Sequence, residues 1–167
     1  MYREILTKAI IAKGKRKIID TLKINTNNNI SKVLGCWIIN HKYEVYLNDQ
    51  KTFIRGYYEA FLWYGHDNNS KCDLLKHTFE FNDEIPYNFT LEKSNLSNKN
   101  ELLVYELLNP SASSMKYDNQ ELIVDVEREY EVDIIGETKI KIKVDEVIID
   151  EIINTNYVND KKQQSNK

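Results

Sequence analysis

Hydrophobic and polar positions alternate through residues 35–64, and this period of two predicts a pair of β-strands. The first strand is predicted to gather six large side chains on one face, namely Trp37, Ile39, His41, Tyr43, Val45 and Leu47. Residues 48–51, Asn-Asp-Gln-Lys, are turn formers and predict the connection. The second strand is predicted to turn an unbroken apolar row towards the core: Ile54, Gly56, Tyr58, Ala60, Leu62 and Tyr64.

The opposite row of the second strand mixes charge with large aromatic side chains: Phe53, Arg55, Tyr57, Glu59, Phe61 and Trp63. This row is too aromatic for a solvated face. Three of its members, Tyr57, Phe61 and Trp63, are therefore candidates for self-association or for stacking on sugars, with Tyr46 beside them. In the alternative interpretation these side chains pack against the N-terminal segment.

Alternation elsewhere predicts further strands. Residues 2–17 favour a strand over an amphipathic helix, and residues 72–81 and 101–108 also alternate. Residues 85–87 contain a proline and predict an edge strand or a loop. Between positions 122 and 134 an apolar row is interrupted only by Arg128. The basic residues at 13, 15, 16 and 17 predict a solvated strand edge, with a phosphate-binding patch as the alternative.

Acidic and basic positions near Gly136 suggest a hairpin. With residues 135–137 as its loop, three pairs are predicted: Asp133–Lys139, Glu131–Lys141 and Glu129–Lys143. A single bent strand with its kink at Gly136 is the alternative.

The sequence predicts a single β domain over residues 1–153. Residues 109–114 are a candidate linker, which would divide the domain into similar halves at 1–108 and 115–153. Residues 145–153 predict a short strand or helix, and the polar residues 154–167 predict a disordered tail. Together the strands predict an all-β fold of antiparallel sandwich type.

Composition narrows the class of protein. A chain of 167 residues can bury a sizeable core, and its net charge of −3 argues against nucleic-acid binding. The sequence begins with no signal-peptide pattern and contains no run of about 20 apolar residues, so we expect a cytosolic protein without membrane insertion. The two cysteines are then expected to be free thiols.

Two repeated spacings, Cys36-x4-His41 and Cys72-x4-His77, could form a zinc site. Residues five apart on a strand point to opposite faces, which argues against chelation and predicts that no metal is bound. His66 beside Asp67 is an acid–base pair by spacing alone, and no nucleophile or phosphate-loop motif accompanies it. We therefore expect no catalytic residue and no cofactor.

Four stretches of the chain carry a family resemblance: YREILTKAIIAKG at 2–14, GCWIINHKY at 35–43, GYYEAFLWY at 56–64 and VEREYEVDIIGETKIKIKV at 126–144. In order and approximate spacing they resemble the CotE family of spore coat morphogenetic proteins. The resemblance implies a non-enzymatic, homo-oligomeric scaffold that is made in the mother-cell cytoplasm. Such a scaffold assembles around the forespore and recruits other outer-coat proteins.

The chain differs from the family pattern at two places. Cys36 stands where the pattern has glycine, and the last residues, NDKKQQSNK, replace a long acidic tail. A different class of function, a carbohydrate-binding β-sandwich that uses Tyr57, Phe61 and Trp63, is the alternative.

Overall fold

The computed structural model describes residues 1–90 and 95–144, which form seven β-strands and no helix. The strands are β1 (Tyr2–Asn25), β2 (Ile30–Asn48), β3 (Lys51–His66), β4 (Lys71–Ile85), β5 (Tyr87–Phe89), β6 (Glu101–Asp118) and β7 (Glu121–Lys143). They form two antiparallel sheets, in the orders β5-β1-β7-β6 and β2-β3-β4. The predicted all-β, sandwich-like fold is confirmed.

The described residues divide into two compact units, Ile10–Gly136 and a smaller one made of Met1–Ala9 with residues 137–144. In the smaller unit, the Val144 amide donates a hydrogen bond to the Met1 carbonyl at 3.0 Å. Lys141 Nζ lies 3.7 Å from Glu4 Oε1 in the same unit. The larger unit contains the hydrophobic core and every site discussed below.

The core of the larger unit is built from the inward rows of both sheets. The row predicted for the second central strand is confirmed, since Ile54, Tyr58, Ala60 and Leu62 are fully buried. The row predicted between positions 122 and 134 of β7 is buried too. Strand β1, predicted from residues 2–17, adds Ile18, Leu22 and Ile24. Burial of these apolar side chains is the main favourable term in the stability of the fold.

The predicted turn between the two central strands is confirmed. Asn48 pairs with Lys51, which leaves Asp49 and Gln50 as a two-residue loop. Both loop residues are left-handed, with φ of 46° and 64°. Two consecutive left-handed residues are the turn that matches the twist of a hairpin, so the local sequence fixes the register of β2 against β3.

The single face predicted for β2 is wrong. Asn40 and His41 together oppose one residue of β3, because Ile39 pairs with Glu59 and Lys42 with Tyr57. This β-bulge, with Asn40 at φ 53°, adds one residue and reverses the faces of the strand. The side chains on the Leu47 side of the bulge point inward, namely His41, Tyr43, Val45 and Leu47, whereas Trp37 and Ile39 point outward.

The predicted hairpin around Gly136 is also wrong, because β7 continues through this glycine as one strand. The three pairs predicted between acids 129–133 and lysines 139–143 therefore do not form, and the single-strand alternative is the observed one. Gly136 serves close packing rather than a turn. A Cβ at this position would lie 2.6 Å from Ile11 Cδ1 and 2.7 Å from Asn100 Nδ2.

The acidic row of β7 is instead neutralised by lysines of the neighbouring strand β1. The ion pairs are Lys13–Asp133 at 3.4 Å, Lys13–Glu131 at 4.0 Å, Lys15–Glu129 at 3.3 Å and Lys17–Glu127 at 2.9 Å. The basic cluster is thus one side of a charge ladder between two strands. The carboxylates beside it would repel a phosphate group.

The sequence also predicts the structure of three other segments, at 109–114, 145–153 and 154–167. Residues 109–114, the predicted linker, lie inside β6, where the pairing with β7 shifts register three times. Proline is tolerated in an edge strand and at bulges, and β6 is both an edge strand and bulged. The predicted strand or helix at 145–153 and the tail at 154–167 lie outside the described residues. The division into similar halves stays a prediction.

Candidate assembly face

The outer side of the sheet β2-β3-β4 carries aromatic side chains that point away from the core. These residues, called the outer aromatic face below, are Trp37, Tyr46, Phe53, Tyr57, Phe61 and Trp63. None of the six belongs to the buried core cluster or to the side chains packed against it. The three residues predicted from the sequence, Tyr57, Phe61 and Trp63, therefore share one surface, where each is half-buried.

The bulge at Asn40 completes one end of this face. It turns Trp37 outward, where the indole is 55% exposed and pairs across the sheet with Phe61. The Trp37 and Trp63 rings meet edge to face, with centroids 6.5 Å apart and planes at 88°. Leu74, which pairs with Trp63, is 44% exposed. A contiguous apolar surface of this kind indicates an interaction site.

Charged groups frame this end of the face. Lys76 Nζ lies 5.6 Å from the centre of the Phe61 ring and 2.7 Å from Glu59 Oε1. Asn40 Nδ2 donates a hydrogen bond to the other carboxylate oxygen of Glu59. The hydrogen bonds from Lys76 and Asn40 lower the pKa of Glu59, so this carboxylate is ionised at neutral pH.

The other end of the face has a second aromatic pair. The Tyr46 and Phe53 rings stack with centroids 5.4 Å apart and planes at 17°. The guanidinium of Arg55 lies 5.0 Å from the centre of the Tyr46 ring and forms an ion pair with Glu44. Tyr46 also donates a hydrogen bond to Asn82 Oδ1 at 2.9 Å. Aromatic rings with an adjacent arginine are typical of the energetic centres of protein interfaces.

An open hollow of about 620 Å³ lies between the two aromatic ends. Its outward-facing lining is Lys42, Glu44, Arg55, Tyr57, Glu80 and Asn82. Its base is formed around Gly56, where an added Cβ would clash with the Lys42 carbonyl oxygen and lie 2.8 Å from the Tyr43 Cα. The glycine therefore permits the close approach of β2 and β3 beneath the hollow.

The inner side of the same sheet holds a buried charge network. Arg128 of β7 is fully buried, and its guanidinium donates to Asp20 at 2.7 and 3.0 Å and to Asp83 at 2.6 Å. Tyr58 donates to Asp20 at 3.0 Å, and the Phe81 ring centre lies 3.8 Å from the guanidinium carbon. Since Asp83 and Tyr58 belong to one sheet and Arg128 and Asp20 to the other, the network joins the two sheets.

A second polar chain joins the sheets at His41. Its Nε2 lies 2.8 Å from the Tyr130 hydroxyl, and its Nδ1 lies 2.9 Å from Glu106 Oε2. Burial lowers the pKa of His41, and this effect outweighs the opposing influence of the Glu106 carboxylate. The imidazole is therefore neutral at pH 7. It serves as a structural link and does not face solvent.

The predicted zinc pairs have different surroundings. The expectation that Cys36 and His41 point to opposite faces is wrong, because the bulge turns both inward. Burial raises the pKa of the Cys36 thiol to about 11, which makes it a poor nucleophile and metal ligand. Cys72 is exposed, and both cysteines are free, as expected. Among the described residues, no group of three or more acidic, histidine or cysteine side chains is arranged to hold a metal ion.

The predicted acid–base pair lies apart from the outer aromatic face. The buried ring of His66 places Nδ1 3.5 Å from Asp67 Oδ1 and Nε2 3.2 Å from Asp73 Oδ2. Neither ring nitrogen has hydrogen-bond geometry towards these carboxylates. The described residues contain no helix long and apolar enough to cross a membrane.

Comparison with known proteins decides the family. The family model for outer spore coat protein E (CotE) matches residues 1–167, which is the whole chain. The chain belongs to the CotE family. No curated protein and no solved structure matches it. Membership identifies it as an outer spore coat protein.

The four CotE-like stretches have clear places in the fold. The first lies in β1, the second in β2, the third in β3 and the fourth in β7. The second stretch contains the bulge at Asn40, and the third contains Tyr57, Phe61 and Trp63. The segments that carry the CotE resemblance therefore contribute to the core and supply four of the six residues of the outer aromatic face, with Tyr46 and Phe53 lying outside them.

In this CotE chain the role of Arg128 is not predicted by the alternation of apolar and polar residues. The residue interrupts an apolar row, and a charged side chain inside a buried row must be paired. Asp20 offered the matching signal, because it shares the inward side of β1 with Ile18 and Leu22. Trp37 was missed for another reason, since nothing in a period of two indicates a bulge.

Proposed function

We propose that this CotE-family chain is a morphogenetic scaffold that associates with itself through the outer aromatic face and recruits other outer-coat proteins. The observation that carries this proposal is a set of aromatic side chains, centred on Tyr57, Phe61 and Trp63, on the side of the sheet away from a complete core. Large aromatic side chains left at a surface gain the most free energy when a partner removes them from water.

The proposed scaffold is synthesised in the mother-cell cytoplasm and then becomes part of the outer coat. It acts as a structural protein without catalysis, cofactor or nucleic acid. A layer that covers a spore needs at least two contact surfaces on each subunit, because one symmetric surface closes into a dimer. The outer aromatic face is one of them, and other coat proteins occupy further surfaces.

The direct test is the double variant Phe61→Ser with Trp63→Ser. We expect it to lower the molar mass measured by light scattering while the domain stays folded, because Ile54, Tyr58 and Leu62 still fill the core. The matched control is Ile10→Ser with Ile19→Ser, which removes two exposed apolar side chains from β1. An unfolded double variant would mean that the two aromatic residues belong to the core instead.

Truncation at Asn154 separates the face from the tail. A short polar segment loses conformational entropy on ordering and has little apolar surface to offset the loss. The truncated chain should therefore keep the molar mass of the full chain. Monomers after truncation would identify the tail as the assembly element and contradict the proposal.

The hollow beside Tyr57 favours one other candidate function, binding of a carbohydrate. An aromatic ring can stack on a sugar, and the carboxylates and amide around it, here Glu44, Glu80 and Asn82, can accept hydrogen bonds from the sugar hydroxyl groups. Binding of spore polysaccharide by the wild type, lost in Tyr57→Ala without a change in molar mass, would favour this function over assembly.

A further inference from the structure

The outward row of β3 is self-complementary. Its side chains read Phe53, Arg55, Tyr57, Glu59 and Phe61, which is aromatic, cationic, aromatic, anionic and aromatic. Read backwards, the row keeps its aromatic positions and exchanges its charges. When two such rows lie face to face and antiparallel, Arg55 of each copy therefore lies opposite Glu59 of the other copy, on either side of the central tyrosine.

The flanking strands repeat this symmetry. On β2, Tyr46 pairs with Phe53 and Trp37 pairs with Phe61, so each end of the row has an aromatic neighbour. On β4, Glu84 pairs with Phe53 and Lys76 pairs with Phe61. At these end positions the flanking strands obey the same reversal about Tyr57. Nearer the axis they do not, because Glu44, which pairs with Arg55, corresponds to Ile39, which pairs with Glu59.

We propose that two copies of this chain pack face to face on the outer aromatic face, about a two-fold axis that crosses β3 at Tyr57. This inference rests on the proposed self-association and adds its geometry. The contact places Arg55 against Glu59 of the second copy, twice. It also sets aromatic residues against aromatic residues and Glu84 against Lys76 of the second copy.

The local charges suit this contact. Arg55 already pairs with Glu44, and Glu59 already pairs with Lys76. Bringing Arg55 to Glu59 of the second copy joins these pairs into a line of alternating sign, in which the two central charges, Arg55 and Glu59, have an opposite charge on both sides as they leave water. Charged groups that stay paired when buried avoid the large cost of desolvation.

The shape of the face suits it too. The open hollow lies at the proposed axis, beside Tyr57, and gives room for the tyrosine of the second copy. Lys42 and Glu80 pair with Tyr57 from the two sides, and both are exposed. They line the hollow on either side of the axis, so each lies opposite the like charge of the second copy, and this repulsion lowers the affinity of the contact.

The dimensions predict a modest affinity. Three strands at about 4.8 Å spacing and about ten residues at about 3.3 Å rise give a face of roughly 14 by 30 Å. This area of about 400 Å² per copy, or about 800 Å² in total, is smaller than that of most specific interfaces and corresponds to a weak, reversible dimer. One such two-fold contact ends at two subunits, so it supplies the repeating unit of a coat rather than the coat itself.

Charge reversal tests the geometry. Arg55→Glu sets two acids against each other in the dimer, and Glu59→Arg sets two bases against each other. Each single variant should weaken dimerisation at least about tenfold in sedimentation velocity. An equimolar mixture should recover it, because the acid introduced at position 55 of one variant then faces the base introduced at position 59 of the other. The variant with both changes should dimerise with itself, because its row is again self-complementary.

The outcomes separate this inference from the proposed function. If the mixture associates no better than its components while Phe61→Ser with Trp63→Ser still lowers the molar mass, the face is used in another register and the two-fold contact is wrong. If that aromatic double variant keeps the wild-type mass, self-association through the face is wrong as well. Thermal unfolding of each charge variant checks that it is folded, which matters most at Glu59, because this side chain is half-buried whereas Arg55 is exposed.

Discussion

On the inner face of β3, Tyr58 and Leu62 are fully buried, whereas on its outer face Tyr57 and Phe61 are only half-buried. Both faces are rich in aromatic residues, and both contain polar atoms. The inner face is completed within the chain by the second sheet and by a carboxylate for the Tyr58 hydroxyl. The outer face has no second layer among the described residues. Aromatic content alone therefore does not distinguish a core from an interface.

Two arginines show the same difference between the inner and the outer face. Arg128 is fully buried between Asp20 and Asp83, and Arg55 is exposed beside Glu44. Losing a buried charge leaves its partners desolvated and uncompensated, whereas an exposed pair can return to water. The inner arginine should therefore govern stability, and the outer one should govern association.

The largest expected effect is that of Arg128→Met. The substitution leaves Asp20 buried without its cation, so we expect a loss of about 3–5 kcal/mol in the free energy of unfolding, measured by urea denaturation. Arg55→Met is the matched control and should change the same quantity by less than about 1 kcal/mol. Equal losses in both variants would contradict the distinction between the faces.

A smaller effect is expected from two neighbouring tyrosines. Tyr58→Phe removes the hydrogen bond to Asp20 and should cost about 1.5–3 kcal/mol of unfolding free energy, as for bonds to charged groups. Tyr57→Phe, on the outer face, should stay within about 0.5 kcal/mol of the wild type. Chemical denaturation of both variants measures the difference, and similar values would show that Tyr57 is part of the core.

The free energy of unfolding should also depend on pH through His41, which lies on the inner side of the same sheet. Burial holds the pKa of His41 below its ordinary value of 6.5, so the unfolded chain binds this proton at a higher pH than the folded chain does. Neutral His41 therefore favours folding above pH 6.5, and this contribution is lost progressively as the pH falls below that value. His41→Gln should show a shallower loss of unfolding free energy between about pH 7 and pH 5. An equally steep loss would assign the dependence to other groups.

The smallest effect is expected at the exposed ladder between β1 and β7. A double-mutant cycle on Lys15 and Glu129, with alanine at each position, should give a coupling energy of about 0.5 kcal/mol. The same cycle on Glu129 and Lys143, the pair predicted from the sequence, should give none. Coupling to Lys143 instead would restore the hairpin.

Alternation and turn chemistry predicted much of this fold, because each is a local property. The rows of β3 and β7 and the turn at Asp49 follow from a period of two and from residues that favour left-handed backbone. The ladder could not be assigned in the same way. The acidic residues of β7 could form ion pairs with either of two rows of lysines, at positions 13–17 or 139–143, and only the order of the strands decides between them.

Single-residue irregularities account for the other differences between the predicted and the observed strands. The extra residue at Asn40 exchanges the two faces of β2, and one inserted residue leaves no trace in a pattern of alternation. Pro110 resembles a linker residue until its strand is known to be a bulged edge. The outer aromatic face was therefore predicted on β3, where the strand is regular, and was missed at Trp37, where β2 is not.

The chain's two tryptophans, Trp37 and Trp63, both lie on the outer aromatic face, so their fluorescence reports directly whether this face is the contact between copies of the chain. Emission should shift to shorter wavelength as the concentration rises through the range in which light scattering shows association, because the indoles then leave water. The control variant Ile10→Ser with Ile19→Ser should show the same shift. An increase in mass with unchanged tryptophan emission would place the contact elsewhere and contradict the account.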